Sequence, residues 1–180
     1  MGQYYYPIIL DRDGKIIVWM NAHMYNNGLK LTEHSYIGNN FVSTFEFGLS
    51  PEGPHYKSRV VWAGDYADAD AEQTENLNLY HMCTEYSLIR PEEKNTRVYR
   101  FVVNHSKKQF VDKTRVPEVD GIALHPLPLL TIEGNGRGGG DYGRGDAISS
   151  LVGSWARDVI SVEKTAPHEF EEVIFDLAAD

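Results

Sequence analysis

The sequence predicts a single α+β domain with a mainly antiparallel sheet, two or three short helices and a long glycine-rich loop. Strand-like apolar segments outnumber helical ones, and they do not alternate with helices as the strands of a parallel sheet would. The chain of 180 residues is long enough for one buried core and short for two. We therefore expect residues 1–180 to form one domain.

Two aromatic and β-branched segments, QYYYPIIL and KIIVWM, open the chain. The segment DRDG between them provides a turn, so a β-hairpin is predicted. Gly28 and Gly38 lie next to asparagines in the loop that follows, where a short strand is expected at residues 29–31. A short helix comes next, because Asn39 or Asn40 can cap it and apolar residues then recur at helical spacing.

The segment SRVVWAG is typical of a buried strand, and the segment DYADADAEQTE after it carries five acids and no base. Its spacing does not fit a calcium loop, which needs glycine at the sixth position and glutamate at the twelfth. We expect a solvated loop that offers an acidic surface to a partner protein. The acids of this surface are Asp65, Asp68, Asp70, Glu72 and Glu75.

A second helix is predicted after this loop, with Asn76 as its cap and Leu79, Met82 and Cys83 toward the core. Cys83 is the only cysteine, so the chain cannot form an internal disulfide. Together with a start that lacks the features of a secretory signal, this indicates a reducing, cytoplasmic location. No segment is apolar over the roughly 20 residues that cross a bilayer, so no contact with a membrane is expected.

A basic hairpin is predicted from residues 97–103 and 109–112, joined by the turn NHSKK. Residues 94–115 hold seven bases and one acid (+6), which leaves 10 bases and 25 acids (−15) for the rest of a chain of net charge −9. Such a segment can contact phosphate, although lysines on a hairpin also prevent pairing between sheet edges. The candidate nucleic-acid contacts are Arg97, Arg100, Lys107 and Lys108 here, with Arg137 and Arg144 in the glycine-rich loop.

Three prolines interrupt the region after this hairpin, and LLTI is expected to form a short buried strand. The segment SWARDVISVEK favours another strand. The C-terminal segment PHEFEEVIFDLAAD fits a helix by its spacing and a strand by its β-branched content, so both stay open.

The glycine-rich loop EGNGRGGGDYGRGD holds seven glycines in the thirteen residues after Glu133. It contains the letters of a dinucleotide-binding fingerprint, but glycines continue where a phosphate-binding helix would have to begin. Its two arginines are offset by two aspartates, which weakens its attraction for nucleic acid. We favour a long turn in which glycines adopt positive φ.

The sequence indicates no catalytic residue, no metal-ligand set and no cofactor. Seven histidines occur without a close ligand pair, and the serines lack a nucleophile elbow. An alternative is a metal-dependent hydrolase that brings Asp65 and Asp68 near histidines such as His34. Another is a small-molecule site near Trp62 and Trp155.

Five segments carry a resemblance to known proteins: MGQYY, NNGLKLTEHSYIGNNFV, VVWAGDYAD, VVNHSKKQFVD and LHPLPLLTIEGNGRGGGDY. The chain resembles a family of small, mostly uncharacterised proteins of bacteria, phages and other mobile elements. The resemblance implies an inhibitor of host defence, similar to an anti-CRISPR protein directed at a Cas9-type nuclease. Such nucleases hold nucleic acid in positively charged channels, which an acidic protein can occupy. We expect a non-enzymatic binding protein that blocks a larger nucleic-acid-handling protein.

Overall fold

A mixed, mainly antiparallel sheet forms the centre of the α+β structure. The computed structural model describes residues 3–70, 77–91, 98–134 and 149–177. The strands are β1 (Tyr5–Leu10), β2 (Ile16–Trp19), β3 (Ser58–Gly64), β4 (Ser87–Leu88), β5 (Phe101–Asn104), β6 (Gln109–Asp112), β7 (Glu118–Val119), β8 (Ile122–Ala123), β9 (Ile132–Glu133), β10 (Val159–Glu163) and β11 (Glu171–Glu172). The α-helices are α1 (Leu31–His34), α2 (Asn40–Gly48), α3 (Leu79–Met82) and α4 (Pro126–Leu130), and 3-10 turns lie at Ala22–Tyr25, Cys83–Glu85 and Lys113–Arg115.

The strand order in the central sheet is β11-β6-β5-β10-β3-β1-β2-β4. Along one edge, β3 pairs with the whole length of β1. Along its other edge, β3 pairs with β10 and with β9. The pairs of β3 with β9, of β2 with β4 and of β6 with β11 are parallel. β7 and β8 form a separate two-stranded hairpin outside this sheet.

Both faces of β3 are covered, which explains its continuous apolar sequence. Val60 and Trp62 point into the main core with helix α2, whereas Val61 and Ala63 belong to a second cluster that contains Leu79 of α3. Covering both faces requires apolar side chains at successive positions of the strand. The largest of these residues, Trp62, is wholly buried.

Several predicted elements are confirmed. The opening hairpin is β1 and β2, the buried strand is β3, and the basic hairpin is β5 and β6, starting at Phe101. Helix α2 begins after Asn39, whose side-chain oxygen accepts hydrogen bonds from the N–H groups of Phe41 and Val42. Strand β10 occupies the second half of the predicted strand SWARDVISVEK, whose first residues form turns.

Two predictions of local structure are wrong because helix caps override strand propensity. Residues 29–31 do not form a strand: helix α1 starts at Leu31, where Glu33 accepts a hydrogen bond from the N–H of Lys30 (2.9 Å). In the predicted strand LLTI only Ile132 lies in a strand, β9. The two leucines belong to helix α4, which begins where His125 accepts a hydrogen bond from the N–H of Leu127 (3.1 Å). Pro126 fits the first turn of α4, where its missing N–H is not needed.

The second predicted helix starts later than expected. Asn78 caps α3 by accepting from the N–H of His81 (3.1 Å), whereas Asn76 lies outside the described residues. Of the C-terminal alternatives, the strand is the one observed: β11 pairs in parallel with β6. None of the helices in the described ranges has the length and apolar character required to cross a bilayer.

Candidate functional site

The acidic loop begins directly after β3 and is held firmly at its base. The N–H of Tyr4 donates to Oδ1 of Asp65 (3.0 Å), and the N–H of Asp65 donates back to the carbonyl of Tyr4 (3.0 Å). The side-chain amide of Asn78 donates to the carbonyls of Asp65 (3.1 Å) and Ala67 (2.9 Å). Asp68 is exposed. The described start of the loop therefore carries Asp65 and Asp68 on a fixed backbone.

Asp70 does not contribute to this surface as predicted. Its side chain is 9% exposed, and Oδ2 lies 3.3 Å from Nη1 of Arg157. The same guanidinium also donates to both carboxylate oxygens of Glu133, at 2.6 Å each. Arg157 therefore joins the acidic loop to the strand that precedes the glycine-rich segment. Glu72 and Glu75 lie outside the described residues, as do positions 135–148 of the glycine-rich loop.

The basic segment does not form a separate positive face in the described part of the chain. Opposite charges at contact distance cancel most of each other's field. Lys108 is exposed, and Arg97, Arg137 and Arg144 lie outside the described residues. The other described cations of segment 94–115 contact carboxylates at 2.6 to 3.2 Å: Arg100 with Asp112, Lys107 with Asp158, Lys113 with Glu46, and Arg115 with Glu172.

The pair of Arg100 and Asp112 shows how specific these contacts are. Nε and Nη2 of Arg100 donate to the two oxygens of Asp112 at 3.0 and 2.7 Å, in the two-pronged geometry that arginine forms with carboxylates. Asp112 also caps the 3-10 turn after β6 by accepting from the N–H of Thr114 (3.0 Å). The hydrogen bonds from Arg100 hold the pKa of Asp112 below its usual range. Those from Thr114 add a smaller lowering of the same pKa.

A buried ionic centre was not predicted from the sequence. Oε1 of Glu46 on α2 lies 2.6 Å from Nζ of Lys113 and 3.0 Å from Nε2 of His125. Nδ1 of His125 accepts the N–H of Leu127, so Nε2 carries the ring proton and faces Glu46 in a short but bent contact. Burial lowers the pKa of His125, which stays neutral. Burial by itself raises the pKa of Glu46, but His125 and Lys113 outweigh it, and that carboxyl is ionised.

His34 occupies a place in the core that leaves it no metal-binding nitrogen. Its Nδ1 donates to the carbonyl of Gly28 (2.9 Å), and its Nε2 accepts the indole N–H of Trp62 (3.0 Å). Neither ring nitrogen is therefore available for a metal site with Asp65 and Asp68. No group of three or more metal-binding side chains occurs within the described ranges. Trp62 and Trp155 are both core residues, at most 1% exposed.

One contact between a serine and a histidine was also missed. Oγ of Ser161 lies 2.8 Å from Nε2 of His105 and donates to Oε1 of Glu163 (2.8 Å). In a nucleophilic triad the histidine accepts the serine proton and the carboxylate binds the far side of the ring. Here Ser161 donates its hydrogen bond to the carboxylate of Glu163 instead, and Ser161 is wholly buried. The arrangement is a structural link between the turn after β5 and strand β10.

A groove of about 400 Å³ lies beside the β7–β8 hairpin. Its walls are the hairpin, the residues that enter it and the C-terminal segment around Phe175. Val119 and Ile122 of the hairpin line the groove and are 65% and 54% exposed. Sequence reasoning missed this groove because its walls are far apart in the chain.

The fold and these sites together define an α+β protein in which the described cations of segment 94–115 other than Lys108 contact carboxylates, and whose described surface includes the start of an acidic loop and an apolar groove. Comparison with family models, with curated proteins and with solved structures returned no significant match for this chain.

Proposed function

We propose that the protein is a non-enzymatic binding protein that attaches through its acidic surface to a positively charged region of a larger nucleic-acid-handling protein. The observation that carries the proposal is the internal pairing of the basic segment. Because Arg100, Lys107, Lys113 and Arg115 all contact carboxylates, the net charge of −9 is not offset by a positive face built from them. A field of this kind steers the protein toward cationic surfaces.

The acidic loop is the part of this surface best suited to docking. Asp65 and Asp68 lie beside two tyrosines, Tyr4 and Tyr66, that are each nearly half exposed. Tyrosine supplies a large contact area with little conformational freedom to lose, and it is enriched at protein interfaces. Because hydrogen bonds to Asn78 and Tyr4 already fix the start of the loop, little ordering entropy is lost there on binding.

The partner class follows from charge and from the resemblance to proteins of phages and mobile elements. A nuclease that holds a guide RNA and its target in a positively charged channel presents the surface that an acidic docking loop complements. We therefore propose a Cas9-type nuclease as the first target, with inhibition by occupation of that channel. We propose the cytoplasm as the location of this activity, because a chain with a single cysteine suits a reducing compartment.

The direct experiment measures complex formation between the purified chain and a Cas9–guide complex, together with inhibition of DNA cleavage. We expect a complex that weakens as salt rises, since both surfaces are charged. The double variant Tyr66→Ala, Asp68→Lys should weaken binding at least tenfold. Asp13→Lys is the matched control, because Asp13 is an exposed acid in the turn beyond the opposite end of β1.

Two outcomes would overturn this proposal. If the chain neither binds nor inhibits the nuclease, the target class is wrong. If it binds but the loop variant and the Asp13 control behave alike, the acidic loop is not the docking surface.

A further inference from the structure

We infer that the groove beside the β7–β8 hairpin is a docking site for a linear segment of another protein, in which apolar anchor residues are flanked by lysine or arginine. The groove is formed by elements other than the acidic loop, so the inference does not depend on the proposed function. It rests on the apolar lining, the rigidity of the walls and the charge at the rim.

The hairpin presents apolar side chains that its own fold leaves uncovered. Val119 and Ile122 are directly opposite each other in the β7–β8 register, so their side chains share one face, and both line the groove. Each is more than half exposed. An exposed apolar surface rimmed by polar groups is typical of a site where another molecule binds.

Contacts within the chain hold the walls of the groove in place. Asp120 and Gly121 both have positive φ (53° and 79°), as a tight two-residue hairpin turn requires. The N–H of Ile37 donates to the carbonyl of Ala123 (2.9 Å), which fastens β8 to the body. On the opposite wall, Phe175 is 3% exposed and belongs to the main core. Preformed walls reduce the conformational entropy lost on binding.

The charge of the rim selects the occupant. The charged side chains among the described lining residues are Asp120 and Asp176, both acids; Asp176 already has a partner, so the exposed Asp120 at the hairpin turn is the one that an occupant meets. A carboxylate at the edge of an apolar groove favours a cation beside the buried anchor and disfavours an anion. The net charge of −9 also opposes a second copy of the chain as occupant. The groove therefore fits an apolar segment with basic flanks.

The test is selection from a random linear peptide library displayed on phage, with the full-length chain as bait. We expect enriched peptides that carry leucine, isoleucine or phenylalanine next to lysine or arginine. Ile122→Glu should reduce the affinity of the enriched peptides at least tenfold, because it places a charge in the apolar groove. The matched control Ile17→Glu changes an exposed isoleucine of β2 and should leave the affinity unchanged.

The contribution of the rim is tested with Asp120→Asn, which keeps a residue tolerant of positive φ and removes the charge. We expect about a fivefold loss of affinity, and a smaller dependence of binding on salt. The inference is overturned if no peptide is enriched over an Ile122→Glu bait, if the enriched peptides lack basic residues, or if the chain dimerises through this hairpin. Melting temperatures of the variants confirm that each remains folded.

Discussion

Lys113 donates a hydrogen bond from Nζ to Oε1 of Glu46 across 2.6 Å, with side chains that are only 8% and 4% exposed. The contact joins the end of the basic hairpin to helix α2, 67 residues away in sequence. Removing two charges from water costs free energy that only a close, well-directed contact recovers. This pair therefore specifies how the hairpin packs on the helix.

Replacing Lys113 with methionine should destabilise the protein by about 3 kcal/mol, because it leaves the Glu46 carboxylate buried without its cation. Equilibrium unfolding in urea measures the change. Adding Glu46→Gln to Lys113→Met should recover part of the loss, since the amide removes the buried charge and keeps a polar oxygen beside His125. A loss below about 1 kcal/mol in the single variant would contradict this account.

Acid should destabilise the protein through His34. Burial lowers the pKa of His34 from 6.5 to about 4, so the unfolded chain binds a proton at a higher pH than the folded one. The contribution of neutral His34 to the free energy of unfolding is fully present above pH 6.5. As the pH falls toward 4, up to about 3 kcal/mol of this free energy is lost. Unfolding free energies measured across this range should decline less steeply in His34→Gln.

His23→Gln is the control for this experiment, because His23 is exposed. Its pH dependence should match that of the unmodified chain. Burial also lowers the pKa values of His55, His105 and His125, so some acid dependence will remain in His34→Gln. Parallel curves for the unmodified chain and His34→Gln would show that His34 is not responsible.

Replacing Arg157 with alanine should destabilise the protein more than replacing it with glycine. Both changes remove the hydrogen bonds to Glu133 and Asp70, at a cost of about 2 kcal/mol. Arg157 has a φ of 64°, which alanine tolerates poorly and glycine adopts freely. Arg157→Gly should therefore be more stable than Arg157→Ala by roughly 1 kcal/mol in thermal or urea unfolding. The reverse order would contradict the strain assigned to this residue.

Substitution by alanine should destabilise the protein to different extents at two glycines that have similar φ angles. Gly153 (φ 73°) would place a Cβ 2.8 Å from the carbonyl oxygen of Ile132, whereas Gly14 (φ 82°) has open space around it. Gly14→Ala carries the backbone strain alone, while Gly153→Ala adds a collision with main chain. We expect Gly153→Ala to be the less stable variant by about 1 to 2 kcal/mol, and equal stabilities would contradict the collision.

Local patterns predicted much of the fold. Asn39 or Asn40 before an apolar periodicity predicted helix α2, and the apolar sequence of β3 predicted a buried strand. The predictions that failed depended on caps. Nδ1 of His125 accepts the N–H of Leu127 and starts a helix where the leucines favoured a strand.

The candidate sites were less predictable. The groove requires the β7–β8 hairpin and Phe175 to meet, and nothing in either segment indicates the other. The sequence alone determined an acidic α+β protein with a basic segment and one cysteine, because composition and short-range periodicity depend only on neighbouring residues. Only the tertiary structure decided which carboxylate each cation meets, because those partners lie 12 to 67 residues apart and strand pairing and helix packing bring them together.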